Sequence, residues 1–272
     1  MPSSDLPHSE FLAPTSGDFT LADCSTRVDI YRDKSAAKAA IKENAIAISD
    51  LAHRFYGEAE RKILIVLQGM DTSGKDGTTA AIFHRTPPLN VNVASFKAPT
   101  KNELAHDYLW RVHNVVPKKG QITVFNRSHY EDVLVVKVKN YADAETVEQR
   151  YAQINDFERL LVESGTTILK FMLHISPDVQ GERLRDRLIN PEKKWKFNPA
   201  DLDDRALWPE FMAAYETMVQ RTSTEHAPWY VIPSDQRKTR GAIVSGIVRR
   251  TLENMDPQYP DPGYRPEDFD IQ

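Results

Sequence analysis

Residues 62–78 combine residue types whose spacing is typical of phosphate binding. An apolar run at 62–67 precedes a turn in which Gly69 and Gly74 have the G-x-x-x-x-G-K spacing, and Lys75 follows directly. Glycines let backbone N–H groups point toward an anion, and the N-terminus of a following helix adds its free N–H groups and its positive dipole end. Lys75 would place a full charge on the phosphate chain. The segment therefore predicts a P-loop between a buried strand and a helix.

The loop departs from the usual pattern at the residue after the lysine. A serine or threonine that binds Mg²⁺ usually stands there, whereas this chain has Asp76, and Thr78 lies two residues further on. Asp71 adds a carboxylate beside the phosphate path, so we interpret it as a Mg²⁺ ligand or a catalytic acid or base. The alternative is a glycine-rich turn that binds nothing. The loop residues predicted to contact phosphate are Thr72, Ser73, Gly74, Asp76, Gly77 and Thr78.

A polar cluster follows a second apolar run, at 121–125. Asn126 stands where the neighbouring strand of a P-loop kinase usually ends in an aspartate that holds Mg²⁺. Because an amide is a weaker metal ligand than a carboxylate, we expect Asp71 or Glu131 to bind the metal ion instead. Arg127 is placed to hold a phosphate with both guanidinium nitrogens. The alternative is a helix cap, since Ser128-x-x-Glu131 is also a capping-box pattern.

A third cluster lies at 180–198 and is strongly basic. Arg183 and Arg187 are four residues apart, so they share one helix face. The alternative is a solvated surface helix in which Glu182 and Asp186 are the ion-pair partners. Next to a P-loop, the segment instead predicts a lid whose arginines stabilise charge on the transferring phosphoryl group. The lid lysines, which surround a tryptophan, are Lys193, Lys194 and Lys196.

Residues near the ends of the second and third predicted strands are candidates for the acceptor side. Lys97 is placed to contact an acceptor or a phosphate chain, and Phe96 to stack on a base, although either residue could equally be structural. The full set of candidate acceptor residues is Phe96, Lys97, Asn126 and Tyr130.

Apolar runs alternate with helical patterns along the chain. The runs are nearly continuous, as in strands that are buried on both faces, so the sequence predicts an α/β fold with a doubly wound parallel sheet between two helical layers. Ligands of such sheets bind at the carboxyl ends of the strands. The predicted strands are 62–67, 90–96, 121–125, 166–175 and 229–232. The predicted helices are 35–57, 75–84, 103–115, 144–163, 177–189, 204–221 and 238–254.

Both ends of the chain lack periodic patterns. Residues 1–33 are rich in Pro, Ser and Asp, which predicts an extended arm or a partly disordered tail without a signal peptide. Residues 256–272 carry four prolines and predict a surface tail. Between them we expect one P-loop domain at 34–255, with its lid at about 178–205.

Bulk properties limit the compartments and partners. The 272 residues are enough for a large core, and no apolar run approaches the length that spans a membrane. A formal net charge of −4 argues against a nucleic-acid-binding protein but is compatible with a local basic channel. The single cysteine, Cys24, excludes an intrachain disulfide and favours the reducing cytoplasm.

Six ordered motifs within about residues 35–255 resemble the polyphosphate kinase 2 family. This resemblance implies a P-loop kinase related in fold to thymidylate kinase, which transfers phosphoryl groups between inorganic polyphosphate and nucleotides with Mg²⁺, for which Mn²⁺ could substitute. It implies functional roles for Asp71, Lys75, Arg127, Arg183 and Arg187, and a homo-oligomer. The motifs span 69–77, 95–100, 106–111, 125–132, 191–196 and 227–233.

Asn126 together with Glu131 resembles class III of that family, whose members phosphorylate nucleoside monophosphates and diphosphates. The expected acceptors are therefore AMP and ADP, and ATP is an expected product. Guanine nucleotides are further candidate acceptors, and the reverse reaction is possible. Glu131 is our candidate for control of the acceptor range. Two rival hypotheses are an ATP-dependent nucleotide or small-molecule kinase of the thymidylate-kinase type and a non-catalytic nucleotide-binding regulator.

Overall fold

A single sheet of five parallel strands organises the protein. A computed structural model describes residues 9–16 and 18–271. The strands are β1 (Lys62–Gln68), β2 (Val91–Ser95), β3 (Ile122–Asn126), β4 (Thr166–His174) and β5 (Trp229–Pro233). Their order is β2-β3-β1-β4-β5, and every neighbouring pair is parallel. All five predicted strands are confirmed to within about two residues.

Helices connect the strands and cover the sheet. In chain order they are α1 (Lys34–Glu58), α2 (Lys75–Phe83), α3 (Lys101–Leu104), α4 (Trp110–His113), α5 (Val135–Val138), α6 (Ala144–Glu163), α7 (Pro177–Ile189), α8 (Ala200–Ala206), α9 (Trp208–Thr222) and α10 (Arg237–Met255).

The two faces of the sheet have separate cores. Ile63 and Ile65 of β1 belong to one core, with side chains of α1, α2 and α10. Leu64 and Val66 point to the opposite face and belong to the other core, with side chains of α6 and α9. All four residues are fully buried, as expected of a strand covered on both sides. The predicted three-layer α/β/α fold is confirmed.

The strand register gathers the predicted site at one edge of the sheet. Leu67 of β1 pairs with Asn126 of β3, and Asn126 pairs with Ser95 of β2. The chain leaves β1 between β3 and β4, so the P-loop lies where the connections diverge to opposite sides. Such a switch point is the usual ligand site of an open α/β sheet.

Two of the predicted helices are each divided in the structure. The stretch 103–115 forms the short helices α3 and α4, because the Asp107 carboxylate accepts a hydrogen bond from the Leu109 backbone at 3.0 Å and stabilises a turn between them. The stretch 204–221 is divided at Leu207 between α8 and α9. Pro209 lies in the first turn of α9, where its missing N–H costs nothing, whereas a continuous helix would need that donor.

The described part of the predicted N-terminal arm packs on the sheet edge. Ala13 N donates to Trp229 O of β5 at 2.8 Å, and Phe19 and Leu21 are buried. Residues 1–8 and 17 lie outside the described residues, so the proposed tail character of those positions stays a prediction.

At the other end, Tyr259 packs edge-on against His53 of α1 with ring centroids 5.9 Å apart, which holds the start of the C-terminal segment on the domain. None of the helices in the described part of the chain is long and apolar enough to cross a membrane.

Candidate active site

Two glycines give the loop after β1 its shape. Gly69 has a φ of +145° and Gly74 a φ of +105°, both in the region that side chains disfavour. A Cβ on Gly69 would lie 2.7 Å from the carbonyl oxygen of Leu173. A Cβ on Gly74 would lie 2.3 Å from Nη1 of Arg240. The loop therefore needs glycine at both positions for conformation and for space.

Lys75 opens α2 and folds back over the loop. Its ammonium donates to Gly69 O at 2.7 Å and to Met70 O at 3.2 Å. Burial, reinforced by the charge of Arg127, lowers the pKa of Lys75 to about 8 against the opposing effect of nearby carboxylates. A phosphate at the loop would offer this ammonium an anionic acceptor and would restore its preference for the charged state.

The loop hydroxyls divide into two kinds. Thr72 Oγ1 and Ser73 Oγ are buried and have no hydrogen-bond partner among the described residues. Such atoms fit a ligand that brings acceptor oxygens, as phosphate does. Thr78, by contrast, donates to Gly74 O at 3.0 Å and accepts from Arg240 Nε at 2.9 Å, so in this structure it braces the loop.

Two arginines support the loop from behind. Arg183 of α7 donates to Thr72 O at 2.9 Å and to Asp235 O at 2.7 Å, while Arg240 of α10 donates to Ser73 O at 2.7 Å. Burial, together with the positive charges of neighbouring arginines, lowers the pKa of Arg183 to about 10 and that of Arg240 to about 9. Neither guanidinium has a carboxylate within ion-pair distance in the described part of the chain. Buried charge of this kind is costly, and a bound polyanion would offset the cost.

Asp76 joins the lid to the third strand. Its Oδ2 atom lies 3.0 Å from Lys196 Nζ, and its Oδ1 atom accepts from Asn126 Nδ2 at 2.8 Å. Burial opposes ionisation of Asp76, but these two partners outweigh it and lower its pKa. The residue that replaces the usual serine or threonine therefore contacts two protein groups, both of which were themselves predicted site residues.

Arg127 lies between two carboxylates. It has a φ of +61°, and its guanidinium contacts Asp71 Oδ1 at 2.5 Å and Glu131 Oε2 at 3.2 Å. The Gln68 amide fits with its nitrogen donating to Glu131 Oε1 at 3.1 Å. The helix-cap alternative is confirmed in part, because Ser128 is the N-cap of the turn that follows and its Oγ accepts from Tyr130 N at 3.2 Å, while the Glu131 side chain pairs with Arg127. A short 3₁₀ turn, His129–Asp132, follows.

Asp71 and Glu131 offer oxygen ligands for a metal ion. Burial opposes ionisation of Asp71, but the charges of Lys75, Arg127 and Arg187 outweigh it and lower its pKa. The described residues contain no group of three or more His, Cys, Asp or Glu side chains placed to hold a metal. Two carboxylates with the remaining positions left to phosphate and water fit the way in which proteins bind Mg²⁺.

The lid forms its own ion pairs above the loop. Arg187 Nη1 donates to Asp201 Oδ2 of α8 at 3.0 Å, and Lys193 Nζ donates to Asp186 Oδ2 at 2.6 Å. Burial and the nearby Asp71 raise the pKa of Asp201 to about 6. Lys194 is exposed. Asp201 was missed in the sequence, where it reads as one of several acidic residues in a short helix.

Two candidate acceptor residues lie in the core. Tyr130 is fully buried; its hydroxyl donates to Glu158 Oε1 at 2.7 Å and accepts from Lys170 Nζ at 2.9 Å. Phe96 packs edge-on against Phe125 with centroids 5.0 Å apart. The structure thus corrects the expectation that these two rings are free to contact a nucleotide, because both fill the apolar layer beneath the strand ends.

Lys97 and Asn126 lie above that layer. Lys97 is exposed, and its carbonyl accepts from Arg111 at 2.8 Å. Asn126 is partly exposed at the strand edge, so both side chains remain accessible candidates on the acceptor side.

A cavity of about 270 Å³ lies between the loop and the lid. Its walls include only two acidic residues, Asp76 and Asp186, and no aromatic residue among those the structure describes. A cavity with this lining suits a phosphate chain and offers nothing on which a nucleobase could stack. The basic residues in its wall are Lys75, Arg183, Arg187, Lys193, Lys196, Arg237 and Arg240.

The family model described as Polyphosphate kinase 2 (PPK2) matches residues 31–260. The chain belongs to the polyphosphate kinase 2 family. It is 52% identical over 229 residues to the AMP/ADP-polyphosphate phosphotransferase of Meiothermus ruber, covering 84% of this chain and 86% of that protein. It is 37% identical over 249 residues to the ADP-polyphosphate phosphotransferase of Rhodopseudomonas palustris, covering 87% and 86%.

Solved structures show the same relationship. The crystal structure of polyphosphate kinase 2 from Arthrobacter aurescens TC1 has a TM-score of 0.92 and 35% sequence identity, with 98% of this chain and 94% of that chain covered. The predicted family, P-loop kinase fold and phosphotransferase class are therefore confirmed. Polyphosphate kinase 2 proteins generally need a divalent metal ion, to which the Asp71 and Glu131 carboxylates are suited.

Arg240 was also missed in the sequence. It follows β5 in the basic stretch Arg237-Lys-Thr-Arg240, at the carboxyl end of a parallel strand. Basic residues at that edge of a polyphosphate kinase 2 sheet were a usable signal, because every strand ends toward the same ligand-binding side.

Proposed function

We propose that this polyphosphate kinase 2 transfers the terminal phosphoryl group of inorganic polyphosphate to AMP and to ADP with Mg²⁺, and that the reaction is reversible. One observation supports the inorganic donor above all. The cavity between the loop and the lid has seven basic residues in its wall and no aromatic or large apolar residue within the described chain. An ATP donor would need a place for its base on that side.

Donor binding would change the contacts of Lys75. The ammonium leaves Gly69 O and Met70 O for the terminal phosphate, while Thr72 Oγ1 and Ser73 Oγ find acceptors there. Arg183 and Arg240 act as positioning residues, since their guanidinium groups hold the loop carbonyls from behind. With its carbonyls held in this way, the loop can direct its amide N–H groups toward the phosphate.

Transfer itself breaks one P–O–P bond and forms another. A phosphate oxygen of the acceptor attacks the terminal phosphorus, and the shortened chain leaves with the electron pair of the broken bond. Arg127 and Arg187 would neutralise charge that develops on the transferring group. Asp71 and Glu131 would hold Mg²⁺, which supplies charge neutralisation across the phosphates. The alternative role of Asp71 is to take a proton from an acceptor phosphate.

The acceptor would bind beyond Arg127, at the ends of β2 and β3. Lys97, Asn126 and Glu131 remain accessible at that edge, and the similarity to the Meiothermus ruber AMP/ADP enzyme supports acceptance of both nucleotides. The same proposal includes ATP as a product and as the substrate of the reverse reaction, and guanine nucleotides as further acceptors. It also includes Mn²⁺ as a substitute ion and a homo-oligomeric assembly. The cytoplasm is the proposed compartment because the chain has only one cysteine.

Product analysis tests the proposal directly. Purified protein is mixed with AMP, long-chain polyphosphate and Mg²⁺, and ADP and ATP are separated by ion-exchange chromatography. We expect both products, their loss with Lys75→Ala, and no comparable turnover when ATP replaces polyphosphate as the donor to AMP. Turnover with ATP alone would establish an ATP-dependent kinase instead, and binding without turnover from any donor would establish a regulator.

A further inference from the structure

A second basic groove opens from the P-loop. Its volume is about 560 Å³, and it runs between α1, α2 and the start of α10. Ile41, Ala80 and Ala81 form its apolar floor. The basic side chains that line it are Lys38, Lys42, His84, Arg85, Arg237, Lys238 and Arg240.

No carboxylate lines this groove within the described part of the chain. With His84 neutral, the other six basic residues give its wall a formal charge of +6, in a chain whose net charge is −4. Four of those side chains, those of Lys38, Lys42, Arg85 and Lys238, have neither an ion pair nor a hydrogen bond to any described residue. Clefts that are lined by one sign of charge concentrate ligands of the opposite sign.

The groove adjoins the cavity between the loop and the lid. Gly77, Arg237 and Arg240 belong to the walls of both. From Gly77 the helix α2 runs along the groove to its end at Phe83, about 9 Å at the rise of an α-helix, and Arg85 follows two residues later. The groove therefore lies within reach of a linear ligand that is seated at the loop.

A competing path also leaves the cavity but has a different charge. It is a cleft of about 830 Å³ that shares Arg183, Asp186 and Arg237 with the cavity. Six basic residues line it, namely Arg27, Arg32, Lys34, Arg183, Arg237 and Lys238. Five carboxylates oppose them, those of Asp29, Asp33, Glu182, Asp186 and Asp235, so the formal charge of the cleft is only +1. A polyanion would meet several carboxylates along that path and none along the groove.

We infer that the α1–α2–α10 groove is a subsite for the distal phosphates of a long polyphosphate donor and sets the preference of this enzyme for chain length. The inference rests on the proposed function, because it assumes that the reacting end of the chain lies at the P-loop. Short donors fill the cavity and leave the groove empty. Long donors also contact Lys38, Lys42 and Arg85, and this added attraction weakens as salt rises.

The test compares donors of two lengths in a groove variant. Lys38→Ala/Lys42→Ala removes two charges from α1 without touching the P-loop or the lid. With AMP in excess, we expect the KM for long-chain polyphosphate to rise about tenfold, since two ionic contacts of about 0.7 kcal/mol each are lost. The KM for the shortest polyphosphate that supports turnover, and kcat for both donors, should stay within about twofold.

Lys118→Ala/Lys119→Ala is the matched control. These two exposed lysines precede β3 at the opposite, amino-terminal edge of the sheet, so their loss changes net charge equally without touching the groove. Equal effects of the groove variant on short and long donors, or equal effects of the two double variants, would overturn the inference. Thermal unfolding of both variants identifies any loss through misfolding, and a charge-reversed Lys42→Glu variant then replaces the alanine pair.

A binding measurement separates this inference from the proposed function. Equilibrium binding of long-chain polyphosphate is measured for the wild-type protein and both variants, at low and high salt. If the wild-type protein binds the polymer through Lys38 and Lys42 but turns over no nucleotide, the groove is a polyphosphate-binding site, while the proposed function and the chain-length preference that rests on it fail. If turnover occurs but the affinity for the long polymer is the same with and without these lysines, the groove inference fails and the proposed function stands.

Discussion

The guanidinium of Arg240 lies directly behind Gly74, so close that a Cβ on Gly74 would meet its Nη1 atom at 2.3 Å. These residues are far apart in the chain, yet together they determine the shape of the phosphate loop. Arg240 also binds Ser73 O at 2.7 Å and Thr78 Oγ1 at 2.9 Å. The C-terminal helix is therefore part of the phosphate site, through one buried side chain.

Gly74→Ala should lower kcat/KM for polyphosphate by about 100-fold, because a displacement of about 1 Å in a positioning group has that effect. It should also destabilise the fold by about 1–3 kcal/mol through the strained backbone. Steady-state kinetics and urea unfolding measure the two effects. Gly165→Ala is the control, since Gly165 has a φ of +89° but nothing within 4 Å of an added Cβ. A comparable loss of activity in the control would contradict the role of Arg240.

Lys75 should make kcat/KM for polyphosphate decline on the alkaline side of its pH profile. Its pKa is lowered to about 8, so the charged form that binds phosphate declines above that pH. We expect kcat/KM for polyphosphate to fall as the pH rises from 7 to 9, since kcat/KM reports groups of the free enzyme. In Lys75→Arg the guanidinium stays charged, so the decline should move to higher pH even though activity is lower. An unchanged decline in that variant would assign the titration to another group.

The stability contribution of Lys75 has the opposite pH dependence. The unfolded lysine keeps its ordinary pKa of 10.5, so the unfolded state binds the proton more tightly than the ligand-free native state. The contribution of this residue to the free energy of unfolding therefore rises with pH between about 8 and 10.5. The difference between the urea-unfolding free energies of wild type and Lys75→Met across that range isolates it.

Glu131→Gln should change the acceptor range. The substitution removes the charge that pairs with Arg127 at 3.2 Å. We propose that AMP, with a single phosphate, depends on the position of Arg127 more than ADP does. We expect the ratio of kcat/KM for AMP to that for ADP to fall about tenfold, or about 1.4 kcal/mol. Asp132→Asn is the neighbouring control, because its carboxylate pairs with Arg150 instead. A constant ratio in Glu131→Gln would remove Glu131 from acceptor selection.

Lys170→Met should destabilise the protein by about 3–5 kcal/mol, because Glu158 would be left as a buried unpaired charge. Both side chains are fully buried, and their ion pair is 2.6 Å long. Burial disfavours the Glu158 carboxylate, but Lys170 and His129 outweigh it and lower its pKa, so its stabilising effect is lost as the pH falls. Arg159→Ala, which removes an exposed ion pair with Asp156, should change urea unfolding by less than about 1 kcal/mol.

The double variant Lys170→Met/Glu158→Leu tests the reason for that loss. Removing both charges should recover a large part of the stability that Lys170→Met loses, because no unpaired charge remains. No recovery in urea unfolding would mean that packing of the lysine chain, and not its charge, stabilises this part of the core.

Local sequence determined the phosphate loop and the strands. Gly69, Gly74 and Lys75 could be recognised from spacing alone, because a P-loop is built from one continuous stretch of backbone. The strand at 62–67 could be recognised because a strand buried on both faces must be apolar throughout. The family motifs are likewise contiguous in the chain, which is why the fold class and the enzyme class followed from them.

Only the tertiary structure decided what the polar residues touch. Asp76 binds Lys196, 120 residues later, and Arg183 reaches Thr72 O across 111 residues. Tyr130 looked like an acceptor residue but is buried against Glu158 and Lys170, since a polar aromatic in a polar motif gives no indication of which side of the sheet it faces. Contacts of this kind depend on how helices pack over the strand ends, and residue type and local spacing carry no information about that packing.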